Sequence, residues 1–132
     1  MPGESEDPVT KQQGNSVLCI GNDPVALNIR CHSLKEHGWH VLSSGSAHEG
    51  IIRFGQESVD AVVVDLNSDG VESALVTGEL KRLRSAVPVI LLVEERNKLA
   101  DGATVVADAV VAKSEQVRVL IGVLRTLLGT SR

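Results

Sequence analysis

Residues 60 to 70 read Asp-Ala-Val-Val-Val-Asp-Leu-Asn-Ser-Asp-Gly, an apolar β-branched stretch that stops at a carboxylate, Asp65, and breaks into turn residues. That is the pattern of a buried strand carrying an acid to the edge of a sheet. Lys113 closes a second apolar stretch, Asp108 to Ala112, and Glu94 follows a third, Val87 to Val93. Asp65 can be a functional acid, or a solvated carboxylate that caps the helix after it. Lys113 can neutralise Asp65 or Glu94 and so lock the rim on which all three stand.

The elements that must position these groups alternate along the chain. Strands are predicted at Ser16 to Ile20, Trp39 to Ser43, up to Asp65, Val87 to Val93 and Asp108 to Ala112. Between the first two, Asp23 is placed to cap a helix that starts at Pro24, carries Leu27, Cys31 and Leu34 on one face and stops at Gly38. Ser46 and Glu49 have capping-box spacing ahead of a short helix to Gly55, and Asp69 and Glu72 repeat it ahead of Val71, Leu75, Leu80 and Leu83. A fourth helix over Glu94 to Gly102 has few apolar anchors. The last, with Val117, Leu120, Ile121, Leu124 and Leu128, is the most clearly amphipathic.

Strict β/α alternation implies parallel strands joined by right-handed crossovers, with helices on both faces. The expected class is α/β, a three-layer doubly wound sheet. Its strand carboxyl ends bring Gly21-Asn22-Asp23, Asp65-Leu66-Asn67, Val93-Glu94 and Lys113-Ser114 to one rim, where ligands bind in such sheets.

With 132 residues, 42% hydrophobic and 23% charged, the chain is sized for one domain. Residues 1–15 are polar and aperiodic and are expected to be a disordered lead, with the domain over 16–129 and a tail at 130–132. A net charge of −4 gives no footprint for nucleic acid or an anionic membrane, and no apolar run has the length of a membrane span. No signal-peptide pattern is present, and a cytoplasmic location is expected. Cys19 and Cys31 occupy positions suited to small buried hydrophobes, and His32, His37 and His40 with Cys31 lack zinc-ligand geometry. The basic run Lys81-Arg82-Leu83-Arg84 complements a helix end. No phosphate-loop pattern occurs.

From Ser16 to Leu128 the chain resembles the receiver domain of bacterial two-component response regulators. The resemblance rests on the strand-end Asp65, the Leu-Asn and Asp-Gly after it, Val87-Pro88-Val89, and Ala-Lys-Ser at the end of the fifth strand. It implies a flavodoxin-like strand order of 2-1-3-4-5. It also implies phosphoryl transfer from a histidine kinase onto Asp65, with Mg²⁺ and Lys113 offsetting the developing charge. Asp65, the backbone carbonyl of Asn67 and, just past the usual acidic pair, Asp23 are the metal ligands it suggests.

Several positions depart from the family pattern. The acidic pair is replaced by Gly21 and Asn22, the switch hydroxyl by Val93, a small residue by Glu94, the coupling aromatic by Val110 and a proline by Ser114. Metal site, hydroxyl and aromatic belong to one mechanism, so their joint loss points to a degenerate receiver with a weakened Mg²⁺ site. The expectation is a stand-alone signalling module rather than an enzyme, with Asp65 as candidate phosphoacceptor and a histidine kinase or other signalling protein as partner. The alternative is a pseudoreceiver that docks proteins without phosphorylation. Arg118 and Arg125, seven apart on the last helix beside Val119 and Gly122, could serve a homodimer.

Overall fold

The computed structural model describes residues 15–66, 71–94 and 107–129. The elements are β1 (Ser16–Gly21), α1 (Pro24–Glu36), β2 (His40–Ser44), α2 (Ala47–Gln56), β3 (Ala61–Asp65), α3 (Val71–Leu83), β4 (Val89–Val93), β5 (Ala109–Ala112) and α4 (Val117–Leu128). All strand pairings are parallel, as the alternation implies, and the order is β2-β1-β3-β4-β5, as the resemblance implies. The fourth predicted helix, the predicted cap Asp69 and the expected terminal segments 1–14 and 130–132 lie outside the described residues.

Successive strand side chains point to opposite faces, and the core divides accordingly. Val17, Cys19, Val63, Ile90, Leu92 and Val111 pack under α1 and α4, against Leu27, Leu34, Leu120, Ile121 and Leu124. Leu18, Ile20, Val62, Val64, Leu91 and Val93 pack under α2 and α3, against Phe54, Val76 and Leu80. Each fully buried leucine or phenylalanine contributes about 2 kcal/mol from water exclusion. The aliphatic strands therefore supply both layers, which is why so few aromatics suffice.

Local chemistry sets the element ends. Asp23 Oδ1 accepts from Val25 N–H at 3.1 Å and Ala26 N–H at 3.3 Å and starts α1. Gly38 turns the chain after α1 at φ +93°, and Gly129 ends α4 at φ +67°, conformations that favour glycine. Ser46 Oγ accepts from Glu49 N–H at 3.1 Å, while Glu49 Oε1 accepts from Gly45 N–H at 3.0 Å rather than from the cap residue itself.

Strand four begins two residues later than its sequence pattern suggests, because Pro88 has no N–H and the Val87 carbonyl accepts from Lys81 Nζ at 3.0 Å. Asp108 is likewise drawn out of β5: its Oδ2 accepts from Val89 N–H at 2.7 Å and pairs with Lys81 Nζ at 2.8 Å. Lys81, at the basic end of α3, is thus used inside the fold, while Arg82 stays exposed. Arg82 pairs with Glu79, and Arg84 lies 4.2 Å over the Phe54 ring and donates to the Glu57 carbonyl.

α2 lies close to β1 through Gly50, where an added Cβ would stand 2.5 Å from Ile20 Cδ1 and 2.7 Å from its Cγ1. At Gly55, one turn on, a Cβ would meet nothing within 4 Å. Gly50→Ala is expected to destabilise the protein by about 1–3 kcal/mol through overpacking, whereas Gly55→Ala should stabilise by up to about 1 kcal/mol through helix propensity. Urea midpoints at constant slope measure both. Equal midpoints for the two variants would contradict the close helix–strand approach.

Candidate functional site

Two registers and one further hydrogen bond align the strand ends that build the rim. Gly21 stands beside Asp65, and Val93 beside Ala112. Lys113 N–H donates to the Val93 carbonyl at 2.6 Å, which extends the ladder by one residue and fixes the lysine stem. Asp65 and Lys113 thereby come together: Nζ lies 2.7 Å from Oδ1.

The second carboxylate oxygen is also taken. Arg30 Nη1 donates to Asp65 Oδ2 at 2.8 Å. Arg30 sits two turns into α1, whose N-terminus is at the rim. Helical side chains lean toward the N-terminus, so the long arginine stem runs back along α1 to the acid. The three side chains are well sheltered, at 6% exposure for Asp65, 15% for Arg30 and 18% for Lys113. A buried carboxylate is tolerated only when its charge is offset; here Oδ2 takes a hydrogen bond from Arg30, and Oδ1 is ion-paired with Lys113 without meeting hydrogen-bond geometry.

Around this triad the remaining sequence candidates are placed as follows. Glu94 is exposed, with Oε2 at 3.7 Å from Lys113 Nζ, so the lysine holds Asp65 closely and Glu94 loosely. Val93 is buried in the layer under α2 and α3, and Val110 is half-buried against the same layer. Asp23 is engaged as the α1 cap. Asn67 lies outside the described residues. Among the described residues no group of three or more His, Cys, Asp or Glu side chains could hold a metal ion. Arg118, Val119, Gly122 and Arg125 are exposed on α4.

Beside the triad runs a groove of about 490 Å³ between α1 and the β5–α4 connection. Ile29, Leu92, Val111, Val117 and Leu120 line it, with Arg30 and Lys113 at its edge. Val25 and Ile29, one turn apart on α1, are largely exposed.

Sequence reasoning missed Arg30. Its signal was available: loss of the acids at Gly21 and Asn22 leaves Asp65 to be neutralised by the protein itself. A base on the flank of the apolar stripe of the first helix is within reach of that rim.

Solved structures share this architecture. The response regulator TrrA of Thermotoga maritima, in a complex with Mg(2+)-BeF, superposes with a TM-score of 0.78 at 23% identity, over 86% of this chain and 99% of that one. A CheY-like receiver domain protein of Methanospirillum hungatei gives 0.78 at 19%, over 89% and 95%. The fold is that of a response-regulator receiver domain. TrrA in complex with the histidine kinase ThkA gives 0.77 at 23% identity, over 86% of this chain and 98% of that one.

In sequence, the transcriptional regulatory proteins GlrR of Escherichia coli K12 and QseF of E. coli O157:H7 are each 29% identical over 76 residues, 58% of this receiver-like chain. The match spans only 17% of the length of either regulator. No family model matches the sequence. No helix among the described residues of this receiver fold is long and apolar enough to cross a membrane.

The triad has a definite electrostatic sign. Removing its one acid leaves two sheltered cations facing each other. Asp65→Ala is therefore expected to cost about 3 kcal/mol, and Arg30→Met about half of that, because Lys113 still neutralises the carboxylate. Chemical denaturation of the two variants checks the order. A neutral or stabilising Asp65→Ala would rule the triad out.

Proposed function

We propose that this chain is a receiver domain of two-component signalling that works as a protein-docking module, without phosphoryl transfer to Asp65 and without catalysing a reaction of its own. One observation carries the reading: both oxygens of Asp65 are held by internal cations, Arg30 at 2.8 Å and Lys113 at 2.7 Å. A phosphoacceptor carboxylate has to offer an oxygen to the incoming phosphorus and a second to a metal ion. Here neither is unengaged.

The described residues do not fit Mg²⁺. That ion demands near-octahedral oxygen coordination with carboxylate support, whereas the strand-one rim offers Gly21 and Asn22 where acids would help, and Asp23 is committed to the backbone N–H groups of α1. The Arg30 guanidinium brings positive charge to the carboxylate in its place. Val93 carries no hydroxyl to bond a phosphoryl oxygen, and Glu94 adds an anion near the amine that would have to receive one.

The partner proposed is a histidine kinase, the class of protein bound to the receiver-fold TrrA. Val25 and Ile29 on α1, beside the apolar groove, have the one-turn spacing that suits a helix laid against them. A location in the cytoplasm accords with such a partner. The competing reading, a working phosphoacceptor, draws on the closeness of Lys113 to Asp65 and requires Arg30 to be displaced by metal.

Incubation of the whole protein with acetyl phosphate and millimolar Mg²⁺, followed by intact-mass measurement, separates the two. No phosphoryl mass gain is expected, and calorimetry is expected to find no saturable Mg²⁺ binding. A phosphoryl adduct that disappears in Asp65→Asn would overturn the docking-only reading in favour of phosphorylation.

A further inference from the structure

The triad uses only part of the Arg30 guanidinium. Arginine carries its N–H donors in a planar fork. Nη1 donates to Asp65 Oδ2, and among the described residues no acceptor meets Nε or Nη2. The side chain is nonetheless sheltered, at 15% exposure. It borders the groove between α1 and the β5–α4 connection, about 490 Å³ in volume and walled by Ile29, Leu92, Val111, Val117 and Leu120. Unfilled donors therefore stand at the edge of an apolar cleft.

The charge at that edge is uneven. Arg30 and Lys113 bring two sheltered positive charges, and Asp65 returns one negative charge. The other acids nearby, Glu94 beside Lys113 and Glu115 on the groove, are exposed, so water and salt screen them far more than the three sheltered groups. The sheltered surplus is a single positive charge. A monoanion cancels it, whereas a dianion would leave a negative surplus beside Glu115. An uncharged apolar molecule would fill the cleft and leave the Arg30 donors unmet. The volume falls within the range of small-molecule sites, about 300–1,000 Å³.

We propose that this groove binds a small amphipathic monocarboxylate, whose carboxylate accepts from Arg30 and whose hydrocarbon body lies along Ile29, Val117 and the floor made by Leu92, Val111 and Leu120. A guanidinium can serve two carboxylates through different edges of its fork, so Arg30 bridges Asp65 and the ligand without releasing the first. The hydrocarbon covers Ile29, which is 63% exposed, and water leaves both surfaces. The site stands on the groove and the spare donors of the unmodified protein, whichever way Asp65 functions.

The experiment titrates the full chain with sodium octanoate, and separately with 1-octanol, the uncharged molecule of equal length, by calorimetry and methyl NMR. Octanoate is expected to bind at a single saturable site with a Kd of about 0.1–1 mM, and octanol about tenfold more weakly or worse. Methyl shifts should centre on Ile29, Leu92, Val111, Val117 and Leu120. Ile29→Glu, at an exposed position and with its urea midpoint checked, should weaken octanoate by about tenfold or more. Arg30→Met should bring octanoate down to the level of octanol. Absence of saturable octanoate binding, octanol binding as tightly as octanoate, shifts centred elsewhere, or unchanged affinity in either variant would each overturn the proposal.

Discussion

Asp65 stands at the end of the central strand with its side chain cut off from solvent, and the rim is organised around neutralising that one charge. Burying a carboxylate costs several kcal/mol unless opposite charge and hydrogen bonds replace its water. Arg30 supplies charge and a hydrogen bond at one oxygen, and Lys113 supplies charge at the other. Arginine suits the role because it stays charged and is less strongly hydrated than an ammonium, so it gives up less on entering a sheltered site. The two cations exceed the single acid, and exposed Glu94 offsets part of that excess near Lys113.

Everything needed to assemble this triad is a consequence of strand order and helix direction. Placing β3 between β1 and β4 sets Asp65 beside Gly21, where an added Cβ would stand 3.2 Å from the Asp65 carbonyl oxygen and 3.4 Å from Leu27 Cδ1 of α1. The β4–β5 register ends at Val93 and Ala112, and the hydrogen bond one residue further aims Lys113 inward. The cap by Asp23 begins α1 at the same rim. A basic residue on the flank of that helix then leans back toward the acid.

The fold was legible because its signals are local and repeated. Val-rich strands at Ser16, Ala61 and Val89, the Asp23-Pro24 start, Gly38 and the stripe from Leu120 to Leu124 each report a backbone state without reference to the rest of the chain. Strand starts were less legible: Val87 and Asp108 have strand-like neighbours, but their polar groups are claimed by Lys81, which lies six residues from the first and 27 from the second. Asp65 and Lys113 could be read together because parallel topology puts strand ends side by side. Arg30 could not, since helical spacing marks it only as a residue beside the stripe. Its partner lies 35 positions away.

Filling a site with fixed cations changes what its fold can do. Switching requires two states whose balance some ligand shifts, and a ligand with nothing to gain in either state shifts nothing. In the proposed reading the carboxylate is already neutralised, Val93 has no hydroxyl to swing, and Val110 offers no aromatic ring to reorient. The rim is then held in one arrangement by tethered charges rather than by an ion that comes and goes. Such a domain contributes by the surface it presents, and its remaining sensitivity lies in whatever moves α1.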